Sequence, residues 1–170
     1  MSLGFLVLFL PLIASAITLL VSRRRAMLSS YISTASALIC LLITVSLIQN
    51  GDNKELGSFN WIQVGDFQLN IALELTGLGK GMLLVVTLIG FLVHLFSIGY
   101  MKEDSGMARY FGGLSLFMFS MTGIVLANNL AMMFIFWELV GVSSYLLIGH
   151  WYHKHSAAEA AKKAFLVNRI

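Results

Sequence analysis

Apolar residues gather along this chain into long blocks separated by short polar stretches. Five blocks run over Leu3–Val21, Met27–Ile48, Met82–Tyr100, Tyr110–Ala127 and Leu130–Gly149. A helix rises 1.5 Å per residue, so about 20 residues cross the hydrocarbon core of a bilayer. The pattern therefore predicts an all-α polytopic membrane protein with five transmembrane helices, of which the first two form a tight hairpin.

The segment between the second and third blocks follows a different period. From Phe67 to Leu75 apolar and polar residues alternate, which is typical of a strand with two unlike faces. Phe59–Val64 is aromatic and branched, and Gly65–Asp66 suits a tight turn. We expect a short extramembrane β-hairpin over about residues 59–75, lying on the membrane surface.

A sixth helix is predicted after an aromatic and basic belt at residues 150–155. Ser156 and Glu159 have the spacing of a capping box, which places the helix start near Ala157. This helix, residues 157–170, turns apolar only at Ala164, close to the last residue of the sequence. We therefore expect residues 1–170 to form the N-terminal part of a longer transmembrane domain.

Composition and charge narrow the classes of protein. Of the 170 residues 58% are hydrophobic and 11% charged, whereas an ordinary soluble domain has about 25% charged residues. A water-soluble globule is excluded, and no motif for nucleic-acid binding is present. The net charge of +3 comes from basic residues that cluster in alternate loops. By the positive-inside rule these loops are cytoplasmic, and the N-terminus is predicted to lie outside. The inside loops would hold Arg23, Arg24, Arg25, Lys102, Arg109, Lys154, Lys162 and Lys163.

Metal and thiol chemistry have little support in the sequence. The single cysteine, Cys40, lies within an apolar block, which indicates a packing role. The histidines His150, His153 and His155 have no carboxylate or thiol partner close in sequence and do not share one helical face. We expect no metal site in this chain.

Glu138 is the sharpest chemical signal, because it is the one carboxylate inside any of the five blocks. An acidic residue at the centre of a membrane helix costs about 2.5 to 3.5 kcal/mol to insert, so such residues are functional candidates by default. Helical spacing puts Phe134, Gly141, Val142 and Tyr145 on its face, which predicts an interior stripe with a close helix crossing at Gly141. Glu138 is interpreted as a proton carrier or switch. The alternative is a structural glutamate that hydrogen-bonds a neighbouring helix.

Three further residues are weaker candidates. His94 lies within the third block and could relay a proton, or simply hydrogen-bond between helices. Lys163 and Arg169 are six residues apart in the sixth helix, about 9 Å along its axis. Arg169 would lie deeper in the membrane, whereas Lys163 could simply extend its amine to the interface.

The stretch Phe136–Gly149 (FWELVGVSSYLLIG) closely resembles the fifth-helix motif of the antiporter-like subunit L of bacterial NADH-quinone oxidoreductase, respiratory complex I. Further agreement is found at Val64–Phe67, Gly90–His94 and Lys163–Ile170. The resemblance covers nearly all of this chain, but only the first part of the family's longer one. Two departures are Thr76 and Asn128, which stand where this family usually has aspartate.

The resemblance implies a proton-translocating subunit in the bacterial inner membrane. Glu138 matches the family's key intramembrane glutamate, which acts with a lysine on a later helix. The partners implied are the lipid bilayer, protons and the other membrane subunits of the complex. NADH, FMN, iron–sulfur clusters and quinone would belong to partner subunits, with no redox cofactor in this chain.

Two alternatives stay open. The first is a subunit of an Mrp-type sodium/proton antiporter or of a membrane-bound hydrogenase, since related subunits of these complexes share the Trp-Glu core of the motif. The second is that the short chain is complete and only serves as a scaffold for other membrane proteins.

Overall fold

A computed structural model describes residues 3–20, 25–49, 54–64 and 67–169. The predicted turn at Gly65–Asp66, together with Arg23, Arg24 and Ile170, lies outside the described residues. Within them the chain forms six helices and two strands, and five of the helices are long and apolar enough to cross a membrane. The predicted polytopic all-α fold with a small β-hairpin is confirmed. In chain order the elements are α1 (Leu3–Leu20), α2 (Ala26–Gln49), β1 (Lys54–Val64), β2 (Phe67–Leu75), α3 (Gly77–Tyr100), α4 (Met107–Leu126), α5 (Leu130–Ile148) and α6 (His155–Val167).

Several helices begin earlier than the apolar pattern predicts, because local hydrogen bonds set their first turns. Helix α3 begins at Gly77, where the Thr76 hydroxyl accepts a hydrogen bond from the Gly79 amide at 3.0 Å. Threonine and aspartate both cap helix N-termini well, so Thr76 can serve in place of aspartate.

The predicted capping box at the start of α6 is not formed. Helix α6 begins at His155, so Ser156 lies inside it, and the N-cap Lys154 makes no side-chain cap hydrogen bond. The Lys154 carbonyl instead accepts from the amides of Ala157 and Ala158 at 3.0 and 3.1 Å. The turn before the helix has therefore already started the helical hydrogen-bond pattern.

Helix α4 is the centre of the bundle. It packs against α1, α2, α3 and α5, while α3 otherwise packs against α2 and α5 against α6. Small residues allow these close approaches, as expected for helices in lipid. Gly112 lies against Leu19 of α1, and Gly123 lies against the Phe136 ring of α5.

The β-hairpin is longer than predicted and is attached to the α4–α5 link. Strands β1 and β2 pair antiparallel, with register shifts between Glu55 and Gly57 and between Asn60 and Ile62. The main chain of Leu73 bridges Ala127.

Asn128 secures the same attachment twice. Its amide donates to the Ala72 carbonyl at 3.2 Å, and its Nδ2 donates to Glu74 Oε2 at 2.6 Å. An aspartate at this position would have no proton to donate to Glu74 at neutral pH, so the departure from the family pattern suits this particular contact. We call this side of the molecule the hairpin face. The opposite side, with the α3–α4 and α5–α6 turns, is the basic face.

Candidate functional site

Helix α6 folds back antiparallel along α5 and covers much of the stripe that contains Glu138. The Tyr145 and Phe165 rings lie 5.5 Å apart between centroids, and a Cβ on Gly141 would lie 2.5 Å from Asn168 Nδ2. The close crossing expected at Gly141 is therefore made by α6. The stripe is not interior along its whole length, because Phe134 is 64% exposed.

The structure brings together two of the predicted site residues at this seam. Glu138 Oε2 and Arg169 Nη1 form an ion pair, with side chains 24% and 39% exposed respectively. Glu138 lies eight residues after Leu130 and ten before Ile148, near the middle of α5. The Arg169 guanidinium also lies 4.1 Å from the centre of the Phe165 ring, which positions it by a cation–π contact.

An open cavity of about 580 Å³ adjoins the ion pair. Its lining combines the apolar side chains of Phe134, Trp137 and Val167 with the polar groups of Glu138 and Arg169. At about 30 Å³ per molecule this volume has room for several waters. The carboxylate is thus paired with a cation and adjacent to space through which a proton or an ion could reach it.

His94 forms a separate site on the far side of α4. Its side chain is 1% exposed, and its Nδ1 donates to the Gly90 carbonyl at 2.7 Å. This bond stays within α3, so it does not join His94 to another helix. Nε2 is then the acceptor, and within the described residues it has no hydrogen-bond partner. The structure does not bring His94 to Glu138, because α4 lies between α3 and α5.

Lys163 is exposed on α6, and within the described part of the chain it makes no ion pair. The neighbouring Lys162 instead pairs with Glu159 at 3.0 Å. The structure therefore places the charge of Arg169, and not that of Lys163, beside Glu138.

The histidines of the belt do not converge. His150 points to Asp104, and the His153 ring lies 4.4 Å from that of Tyr152. Among the described residues no three histidine, cysteine or acidic side chains lie close enough to hold a metal ion.

Sequence reasoning missed a hydrogen-bond network on the basic face. Asp104, in the α3–α4 turn, accepts from Trp151 Nε1 at 2.7 Å, from the Gly106 amide at 2.6 Å and from His150 Nε2 at 3.3 Å. Burial acts to raise the pKa of the Asp104 carboxyl, but these hydrogen bonds outweigh it, and the pKa lies below its ordinary value. The available signal was a pair of carboxylates, Glu103 and Asp104, in a short loop predicted to lie on the same side of the membrane as the Trp and His belt.

Two family models match the chain. The N-terminus of chain 5 of NADH-ubiquinone oxidoreductase (complex I) matches residues 61–111, and the transmembrane family described as NADH:quinone oxidoreductase/Mrp antiporter matches residues 127–170. The second match includes Glu138 and Arg169.

Solved structures share the fold of the whole chain. The Mrp complex of Dietzia sp. DQ12-45-1b contains a chain that is 24% identical, with a TM-score of 0.80 over 96% of this chain and 17% of that one. A chain of an archaeal membrane-bound sulfane sulfur reductase is 22% identical, with a TM-score of 0.79 over 96% of this chain and 33% of that one.

Curated relatives are more similar in sequence. NADH-quinone oxidoreductase subunit L of Mycobacterium tuberculosis is 39% identical over 173 residues, which cover 98% of this chain and 27% of the relative. F(420)H(2) dehydrogenase subunit L of Methanosarcina mazei is 41% identical over 171 residues, covering 98% and 25%. The chain thus spans about a quarter of the length of these relatives. It belongs to the family of antiporter-like membrane subunits that includes subunit L, or chain 5, of NADH-quinone oxidoreductase.

Proposed function

We propose that this chain is part of a proton-translocating membrane subunit of an NADH-quinone oxidoreductase, with Glu138 as its proton carrier. The observation that carries the proposal is the Glu138–Arg169 ion pair. It joins the centre of the membrane helix α5 to a residue just after the end of α6, beside an open cavity. Ionisable groups at such depth are rare and are usually functional.

The pair can act as a switch because its two partners stand on different helices. While the guanidinium is in place, it forms the ion pair with the carboxylate. In the proposed cycle α6 moves Arg169 away, and the Glu138 carboxylate then takes up a proton from the adjoining cavity. Return of the cation then expels that proton. Directional transport requires that uptake and release face opposite sides of the membrane.

His94 is a second candidate relay, since its Nε2 is a buried acceptor without a partner among the described residues. Because α4 separates His94 from Glu138, any relay by His94 would be a different step from that of the ion pair. Lys163 is the weakest candidate, because it is exposed and makes no ion pair within the described part of the chain.

The redox chemistry is assigned to other subunits. Relatives of similar identity are named for different electron donors, NADH in one case and F(420)H(2) in the other. Such a difference is expected if this subunit only handles protons. NADH, FMN, iron–sulfur clusters and quinone would then be bound by partner subunits in a bacterial inner membrane. The basic face would be cytoplasmic, and the hairpin face, with the N-terminus, outside.

The test is Glu138→Gln in the full-length protein within its complex. We expect proton uptake into sealed inverted vesicles, measured per NADH oxidised, to fall at least tenfold, because glutamine cannot exchange a proton. Glu159→Gln is the matched control, since it makes the same chemical change on a residue paired only with Lys162 at the surface. Unimpaired pumping by an assembled Glu138→Gln complex contradicts the proposal.

A second candidate is a sodium/proton antiporter of the Mrp type, favoured by the family description that matches residues 127–170. The same glutamate would then exchange ions without electron transfer. Addition of sodium to acid-loaded inverted vesicles, with no electron donor, would release protons in this case, and Glu138→Gln would abolish the release. No sodium-driven response is expected if the chain serves a redox pump.

A further inference from the structure

The position of Arg169 beside Glu138 depends on how the turn between α5 and α6 is held in place. Helix α6 packs chiefly against α5, so the α5–α6 turn at residues 149–154 sets how far along α5 it lies. A shift of one residue moves a helix by 1.5 Å along its axis and rotates its side chains by about 100°. Such a shift would take Arg169 off the face of Glu138.

The α5–α6 turn is attached to the rest of the bundle through Asp104. Its carboxylate accepts hydrogen bonds from both Trp151 and His150, at 2.7 and 3.3 Å, and belongs to a different turn, between α3 and α4. The His150 side chain is only 5% exposed and that of Asp104 21%, so water competes little for these bonds. Hydrogen bonds to an ionised acceptor are about twice as strong as neutral ones.

The surrounding groups support the same attachment. Arg109 Nη2, on α4, donates to the His150 carbonyl at 2.8 Å. The ring of Tyr110, also on α4, meets that of His150 edge-on at 5.5 Å. These contacts come from α4, so Asp104 and α4 together hold the turn against the centre of the bundle.

We propose that Asp104 is a positioning residue for the Glu138–Arg169 pair: it anchors the α5–α6 turn and thereby fixes the register of α6 on α5. The inference deepens the proposed function and rests on it, since the pair matters only if it is the switch. Asp104 lies 34 residues before Glu138 and 65 before Arg169 in the sequence, so it would act on the pair only through the turn.

The register can be measured directly by electron–electron double resonance between two spin labels. Leu130 at the start of α5 is 80% exposed, and Ala160 on α6 is exposed, so both accept labels. Because the helices are antiparallel, these sites are about 30 Å apart and any sliding of α6 changes their separation. The measurement is made on the full-length protein in its complex, in a cysteine-depleted background that includes Cys40→Ser.

Asp104→Asn removes the charge and weakens the network. We expect the mean label distance to change, or its distribution to broaden, by at least about 1.5 Å, the rise of one residue. Glu103→Gln, at the exposed neighbouring carboxylate, is the matched control and should leave the distance unchanged. Asp104→Glu keeps the charge and the two acceptor oxygens and should restore the distance. Trp151→Phe, which removes only the indole donor, tests the same network should Asp104→Asn not assemble.

The two possible failures are distinguishable. An unchanged distance in both Asp104→Asn and Trp151→Phe overturns the positioning role of Asp104. A changed distance with unchanged pumping per NADH overturns the assignment of the Glu138–Arg169 pair as the switch. A changed distance together with reduced pumping supports both.

Discussion

Helices α4 and α5 are neighbours of almost equal length, 20 and 19 residues, yet they are buried to very different extents. Thirteen residues of α4 are buried, against four of α5. The buried helix is nevertheless the less apolar of the two. In water the more buried helix would be expected to be the more hydrophobic.

The more buried helix is the less apolar one because the bundle is surrounded by lipid and not by water. Lipid chains are as apolar as leucine, so burial in a membrane protein selects small residues and satisfied hydroxyl groups. The hydroxyls of α4 are neutral and fixed: Thr122 donates to the Met118 carbonyl at 3.0 Å, and Ser115 lies 2.6 Å from Ser33 of α2. Helix α5 instead carries a charged group whose partner comes from α6. The comparison separates a buried helix that supports the bundle from a more exposed helix that carries a charged pair.

The largest effect is expected where α4 and α5 touch. A side chain at Gly123 would collide with the ring of Phe136, so Gly123→Leu should destabilise the folded protein by about 3 kcal/mol. Thermal unfolding of the purified protein measures this loss. In Gly81→Leu on α3, where nothing lies within 4 Å of a Cβ, the melting temperature should stay near that of the native chain. Equal melting temperatures for the two variants would contradict the conclusion that the contact between α4 and α5 stabilises the bundle.

The next effect concerns the charge on α6. Arg169→Gln leaves Glu138 without its cation, whereas Lys163→Gln removes an exposed charge that has no ion-pair partner among the described residues. Because the ion pair is partly exposed, we expect a loss of about 1 kcal/mol of coupling between the two charges. This corresponds to roughly fivefold fewer protons pumped per NADH oxidised. Lys163→Gln should pump normally. The reverse ranking of the two variants in the vesicle assay would contradict the assigned partner.

A smaller difference in stability is expected between removing a hydroxyl group from α4 and removing one from α5. Ser115→Ala on α4 removes a hydrogen bond between helices, worth about 0.6 kcal/mol. Ser143→Ala on α5 removes bonds back to the Leu139 and Val140 carbonyls of its own helix, at 2.8 and 3.1 Å, and should change the free energy of unfolding by less. Denaturant unfolding of both variants in the same detergent decides the order, and a larger loss in Ser143→Ala would reverse the comparison.

The smallest effect is a dependence on acid pH at the basic face. The pKa of Asp104 is lowered in the folded protein, so its stabilising contribution is present above the ordinary carboxyl pKa near 4 and is lost as the pH falls through the folded value. Trp151 fluorescence, recorded with every other tryptophan of the full-length protein, including Trp61 and Trp137, replaced by phenylalanine, should therefore change below about pH 4. Asp104→Asn should abolish the transition. A transition that persists in this variant would assign it to another group.

Much of the fold was predictable from the spacing of apolar residues. The five spans were located to within a few residues, because crossing lipid demands a minimum run of apolar side chains. The predicted starts of helices were less accurate, as for α3 after its N-cap Thr76 and for α6 at His155, because hydrogen bonds in the turns decide where a helix begins. The candidates Glu138 and Arg169 were identifiable as charges in apolar surroundings, but their pairing was not.

The amino-acid sequence by itself determined which segments enter the membrane and which of their residues are chemically unusual, because transfer from water to lipid is a property of each side chain. Only the tertiary structure decided that Glu138 meets Arg169, that His94 stands apart behind α4, and that Asp104 holds the α5–α6 turn. Those outcomes depend on which helices pack together and in what register. Small residues, close contacts and hydrogen bonds between segments distant in the chain settle that, and no local pattern records it.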